Sequence, residues 1–167
     1  MNTGAVQSLP GLDGALVPGG VFFSLTLAGN PQHKGRHRSR IVFPKAGKPF
    51  IHNYPDPATE AFEGVLAQAA VLVMRSRPPS LQPLCLLLIA DRAIPKSWSR
   101  AEHQAALDGR LLPTAKPDFD NHGKIVDALN GIVWKDDAQI VDARIIKRFH
   151  QRPALTIEVR EFVEPGR

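Results

Sequence analysis

The sequence predicts a single domain of the α/β (α+β) class, with a mixed β-sheet packed by helices. Three observations predict it. The 167 residues are enough for one hydrophobic core without staples. Apolar residues recur with the period of a strand in some stretches and of a helix in others. The resulting order is strand, strand, helix, strand, helix, helix, strand, strand, with no internal repeat, which fits helices laid on a mixed sheet.

Residues 1–20 are rich in Gly and Pro and lack periodicity, so a flexible extension is expected there, with the folded domain spanning 21–163. From Val21, Phe23, Leu25 and Leu27 alternate with Ser24 and Thr26, a half-buried strand that Gly29-Asn30-Pro31 ends. Short strands at Arg40–Phe43 and Pro49–Ile51 flank a turn at Lys45–Lys48. Asp56-Pro57 is a helix start, a capping side chain followed by proline at the first helical position. Phe62, Val65, Leu66, Ala69 and Val73 then mark the apolar face of about five turns. Pro78-Pro79 closes that helix. Leu84–Ala90 reads as a buried strand, and Ser99 with Glu102 as a capping box opening a short helix that Asp108-Gly109 ends. A helix from about Asn121 to Leu129 ends at Asn130-Gly131. Strands are expected at Ile132–Trp134, Gln139–Phe149 and Leu155–Arg160.

No stretch approaches the roughly 20 apolar residues of a membrane span, and the N-terminus does not resemble a signal peptide, so a soluble, cytoplasmic protein is expected. The single cysteine, Cys85, lies in the apolar run and reads as a small buried hydrophobe. The net charge of +5 suggests a polyanionic partner, and its distribution says more than its total. Between Gly14 and Pro55 there is no acidic residue, while Lys34, Arg36, Arg38, Arg40, Lys45 and Lys48 form a basic strip. The segments Arg75-Ser76-Arg77 and Lys147-Arg148 either contact DNA or solvate the surface, and solvation is the favoured reading. Conversely, six of the sixteen acidic residues fall within residues 116–142.

Close carboxylates repel, so a chain that collects them usually places a cation between them. Pro117 keeps the residue before it out of the helical region, and extension carried on through Asp118 would let Asp118 and Asp120 face the same way. The two would then offer oxygen ligands to a hard divalent ion such as magnesium, with a further carboxylate from Asp136-Asp137. Lys124 would face a transferring phosphoryl group. Each element also has a plainer use: Asp120 as a helix cap, Lys124 as a solvated helix residue, Asp136-Asp137 as a turn, Asp127 on a polar helix face, Asp142 at an exposed strand position.

The run Lys116-Pro117-Asp118-Phe119-Asp120-Asn121, then Lys124, then Asp127-Ala128-Leu129-Asn130-Gly131, then Trp134-Lys135-Asp136-Asp137-Ala138-Gln139 resembles the RusA family of Holliday junction resolvases. The stretches Phe23–Arg36, Asn53-Tyr54-Pro55 and Ile94–Ser99 are also similar to family segments, so the resemblance covers about residues 21–162. It implies a small α/β homodimer that uses Mg2+ or Mn2+ to cut four-way DNA junctions by paired, symmetric nicks. By motif position it implies Asp118, Asp120 and Asp137 as catalytic carboxylates and metal ligands, with Lys124 also needed for cleavage. Lys34, Arg36, Arg38 and Arg40 would contact DNA.

There is one departure. The family pattern places the lysine and the aspartate of the Asp-Ala-Leu-Asn-Gly segment four residues apart; Lys124 and Asp127 are three apart. One residue fewer turns everything downstream by about 100° on a helix. The alternatives are therefore a junction-binding protein that no longer cleaves, or another Asp-x-Asp metal enzyme such as a glycosyltransferase.

Overall fold

The computed structural model describes residues 17–35, 38–54 and 56–163. Its centre is a four-stranded mixed sheet in the order β1-β6-β4-β5. Strand β1 (Val17–Ala28) pairs antiparallel with β6 (Ala154–Val163), and β6 pairs antiparallel with β4 (Leu84–Ala93). Strands β4 and β5 (Ile140–His150) run parallel. A parallel pair cannot be closed by a hairpin and needs a long crossover. Here the crossover is residues 94–139, and it carries the acidic stretch except for Asp142, which lies in β5.

The strand alternation read from the sequence decides which face is buried. Phe23, then Leu84, Leu86, Leu88 and Ala90, then Leu155, Ile157 and Val159 line one face and are fully buried. Against that face lies α1 (Pro57–Met74), through Leu66, Ala70 and Met74, with Phe62 and Val73 half-buried. Val65, expected on the inner face, is exposed. Asp56 caps α1 by accepting the Thr59 amide, with Pro57 in the first turn. The capping box of Ser99 and Glu102 opens α2 (Arg100–Leu107), and Gly109, at φ 73°, follows its end.

Three expectations change. Strand β1 begins at Val17, because Val17 and Pro18 pair with Val163 and Phe162. The pairing then shifts register across Gly19-Gly20 before resuming at Val21, so an extension from residue 1 to 20 is too long by four residues, and residues 1–16 lie outside the described part. Strand alternation is the signal that a glycine bulge erases. The Arg40–Phe43 and Pro49–Ile51 segments are β2 (Arg38–Val42) and β3 (Phe50–Tyr54), a separate antiparallel hairpin turning at Gly47, φ 109°. Residues Ile132–Trp134 form no strand of their own. They make a tight turn, in which Trp134 meets Ser80 and Asn130 by single bridges and is itself fully buried.

Of the basic residues read as surface solvation, Arg77, Lys147 and Arg148 hold backbone or carboxylates, while Arg75 is exposed. Arg77 donates to the Phe22 carbonyl at 2.7 Å and lies over its ring, and Arg148 pairs with the nearly buried Asp91. Cys85 is half-buried, and burial, with Asp142 beside it, pushes its thiol up to about 11; it stays a thiol at neutral pH. No helix among the described residues is long and apolar enough to cross a membrane.

Candidate active site

The Lys116-Pro117 peptide is cis and delivers the chain to Asp118, whose backbone is extended (φ −66°, ψ 154°). The five-residue helix α3 (Phe119–Gly123) starts at the next residue. Asp118 occupies the cap position, yet its side chain makes no capping bond; it is exposed and forms no ion pair among the described residues. Asp120 is already inside the helix, so the two carboxylates do not project from one extended segment as the sequence suggested. Extension stops at Asp118. Lys124 donates to Asp120 at 2.7 Å, an i,i+4 pair with both side chains about half exposed. That hydrogen bond is the main reason the Asp120 carboxyl sits below the usual carboxylate range.

At Lys124 the chain tightens from α to a 3₁₀ helix, Lys124–Leu129, where the sequence had predicted continued α-helix. A 3₁₀ helix turns about 120° per residue against about 100° in an α-helix. One missing residue removes about 100° of rotation. Across the three steps from Lys124 to Asp127 the tighter winding adds about 60°, so it offsets part of that rotation. Ile125, Val126 and Leu129 remain buried against the core.

Downstream, the residues of the Trp-Lys-Asp-Asp-Ala-Gln run divide sharply. The Trp134 indole donates to the Asn130 side chain. Gln139 accepts from the Lys135 and Asp136 amides at 2.9 and 3.0 Å and donates to the Ser80 and Gln82 carbonyls. Asp136 caps the short 3₁₀ helix Asp137–Gln139 by accepting the Ala138 amide at 2.9 Å. Asp137 is exposed, and its carboxylate has no hydrogen bond or ion pair among the described residues. The turn therefore spends Asp136 on its own backbone and leaves Asp137 unspent.

The basic loop packs against this helix. The Lys34 amide donates to the Asn121 carbonyl at 2.9 Å, and the Gly35 amide to the Thr59 hydroxyl at 2.9 Å. A Cβ on Gly35 would stand 3.0 Å from the Asp56 Cβ and 3.1 Å from the Thr59 hydroxyl, so a larger residue would press the loop away from the start of α1 by a few tenths of an ångström. Lys34 itself turns inward: its ammonium meets Asp127 at 2.7 Å and Glu63 at 3.4 Å. The buried Glu63 oxygen has no hydrogen bond besides this pairing. Lys34→Met is expected to destabilise the fold by about 1–2 kcal/mol, since it leaves the part-buried Glu63 carboxylate without its cation. Thermal unfolding checks this, and adding Glu63→Met should recover part of the loss.

Between loop 30–35, the end of β4 and residues 116–121 lies a pocket of about 530 Å³. Lys34, Arg92, Lys116, His33 and Asn121 line it, with Asp118 among them. Two cations from the parallel strands brace its wall. Arg92 donates to the Lys116 carbonyl at 3.3 Å and Lys147 to the Pro117 carbonyl at 2.9 Å, the two carbonyls immediately before Asp118. Sequence reading missed Arg92 and took Lys147 for a surface residue, because a basic residue on a strand carries no signal of what it holds. It also missed His122, which is fully buried and whose ring nitrogens reach no partner in full hydrogen-bonding geometry.

Burial, and after it the charges of His33, Lys147 and Arg92, push the His122 imidazole down to about 4, against weak opposition from the Gln32 backbone. The unfolded chain takes up this proton from about pH 6.5 downward and the folded chain only near 4. The unfolded state holds more protons in between, so stability falls as pH drops through that window. Melting curves from pH 7.5 to 4.5 should show this fall, and His122→Leu should flatten it.

Among the described residues no three His, Cys, Asp or Glu side chains gather into a group that could hold a metal. The structure thus places Asp118 and Asp120 within one turn of each other but does not bring Asp137 to them as a ligand set. The donors are nonetheless of the right kind: hard carboxylate oxygens, two of the three unspent. Of the basic residues read as DNA contacts, Lys34 is at the pocket and Arg40 stands exposed on β2, over the Tyr54 ring. Arg36 lies outside the described residues, and Arg38 is described in its backbone alone.

Residues 28–160 match the family model described as "Endodeoxyribonuclease RusA". The chain belongs to the RusA family. A protein of Bacillus subtilis (strain 168) named "Uncharacterized protein YqaN" is 33% identical over 141 residues, 81% of this chain and 94% of that protein. The match bears out the resemblance read from the acidic motif. Within this RusA-family chain, the motif residues Asn130, Trp134, Asp136 and Gln139 build the turn, and Asp118, Asp120, Lys124 and Asp137 offer their groups to solvent.

Proposed function

We propose that this RusA-family chain is a metal-dependent, structure-selective endodeoxyribonuclease that resolves four-way DNA junctions by paired, symmetric nicks, in the cytoplasm, during recombination and repair. The observation that carries this reading is Asp118: exposed, uncapped, and at the edge of a pocket lined by Lys34, Arg92 and Lys116. Asp118 and Asp120 would hold Mg2+ or Mn2+, with Asp137 as the third carboxylate. When bound, the ion supplies a water activated at neutral pH and charge stabilisation on the phosphoryl oxygens.

The chain's own groups do the rest. Lys124, tethered to Asp120, is within one side chain's swing of a phosphate held there and neutralises the charge that builds on it. The Arg92 and Lys147 bonds fix the backbone from which Asp118 projects. Lys34, Arg36, Arg38 and Arg40 form the basic approach to the site, so binding weakens as salt rises. Cutting both strands of a junction needs two sites, hence a homodimer. The exposed apolar residues of the β2–β3 hairpin, Ile41, Phe43, Phe50 and Ile51, support an association surface there.

The separation of Asp137 from the other two carboxylates favours a second reading, a junction-binding protein that does not cut. Incubating the protein with a synthetic four-way junction and Mg2+ or Mn2+ separates the two. Paired nicks at symmetric positions, lost in Asp120→Asn, support cleavage; tight, salt-sensitive binding without metal-dependent nicks supports the binder.

A further inference from the structure

The pocket beside Asp118 has a chemistry of its own. Most sites for small apolar ligands are lined by hydrophobic side chains. This one is lined mainly by polar groups, together with Pro31 and Pro117: Arg92 and Lys116 supply positive charge, Gln32 and Asn121 supply amides, and Asp118 is also in the lining. Asp120, Lys124 and Asp137 do not line it. The pocket thus shares Asp118 with the carboxylate motif but takes the rest of its lining from the 30–35 loop, Arg92 and residues 116–121. Its volume, about 530 Å³, is that of a site for a ligand of nucleotide size.

Its walls are rigidly referenced to the sheet. Asn30 accepts the Ala93 amide at 3.0 Å, the Lys34 amide bonds Asn121, and Arg92 bonds the Lys116 carbonyl. Asn30 has its oxygen engaged and keeps its amide nitrogen as a donor. Arg92 uses one nitrogen at 3.3 Å and retains the others.

We propose that this pocket is a nucleotide subsite, which seats the DNA nucleotide next to the scissile phosphate. Its phosphate lies against Arg92 and Lys116, and the edge of its base against the amides of Gln32 and Asn121. Amide side chains read base edges by paired donor and acceptor bonds, so the pocket discriminates between bases and makes Gln32 a specificity-determining residue. This rests on the nuclease reading above and deepens it.

A double-mutant cycle tests it. Four-way junctions are made with one nucleotide at a time, around the mapped cut, replaced by an abasic analogue, and cleavage by the wild-type protein and Gln32→Ala is measured on each. At one position adjacent to the cut, the abasic change should lower wild-type cleavage about 10-fold, the scale of one amide–base contact. Gln32→Ala should cut the intact junction at that same reduced rate, and the two changes together should cost no more than either alone. If no adjacent position is sensitive, or if the two effects multiply, the subsite is wrong while the nuclease reading stands. If the wild-type protein cuts no junction in Mg2+ or Mn2+, the nuclease reading fails and the subsite falls with it.

Discussion

Asp118→Asn is expected to lower junction cleavage on the order of 10³-fold while leaving the melting temperature unchanged. The asparagine keeps the size of the side chain and removes the charge that would hold the metal. The fold should not notice, because Asp118 makes no side-chain hydrogen bond, although it sits where a capping residue would. Junction binding measured without cleavage, in Ca2+, should be retained, since one fewer carboxylate repels phosphate less. The effect at Asp120 should differ in one respect. Asp120→Asn also weakens the 2.7 Å bond to Lys124, so it frees the lysine as well as removing a ligand. Equal cleavage by wild type and Asp118→Asn would remove this carboxylate from the chemistry.

Trp134→Ala should produce the largest loss of stability, about 3–5 kcal/mol. Trp134 is the largest fully buried side chain, and it closes the core beside Leu129 and Val133. Its indole also holds the Asn130 side chain, and its carbonyl accepts the Gly131 amide at 2.7 Å. In a domain of this size the loss lowers the melting temperature by about 10 °C. The same change loosens the turn that presents Asp137, so cleavage should fall even at temperatures where the protein remains folded. Trp134→Phe, which keeps most of the volume but not the N–H, should fall between the two. A Trp134→Ala protein as stable as wild type would show that the turn is not anchored through the core.

The contrast between these two positions explains what the sequence could disclose. Periodicity and capping are local, and they were legible: the Asp56-Pro57 start, the Ser99/Glu102 box and the alternation of β6 all appear where their residues predict. The acidic motif was legible as a motif, and the family match over residues 28–160 agrees with it. What was not legible is how long-range packing divides the work among the motif's residues. Asp136 and Asp137 are identical in type and adjacent; the Asp136/Gln139 capping box makes one a cap, while the bonds of Gln139 to the Ser80 and Gln82 carbonyls, a long-range contact, fix where the other is presented.

Lys34 shows the same limit. In the sequence it belongs to a basic strip; in the fold its charge is taken up by Asp127, 93 positions away. The helix that the short Lys124–Asp127 spacing made doubtful was a question of winding, which residue types alone do not report. Its 3₁₀ form winds more tightly than the expected α-helix and so offsets part of the missing rotation. The register shift at Gly19-Gly20 hid four residues of β1 for the opposite reason, because a bulge interrupts the very alternation by which strands are recognised.

The central claim is that Asp118, Asp120 and Asp137 together hold a divalent ion. The most direct measurement is a crystal structure of the protein grown with Mn2+, with the ion located by its anomalous scattering. The account predicts one ion bonded to Asp118 and Asp120 at about 2.0–2.2 Å, with Asp137 drawn in to complete the carboxylate set and Asp136 still capping its helix. Manganese bound elsewhere, or no ion at Asp118 and Asp120 at millimolar Mn2+, would contradict it.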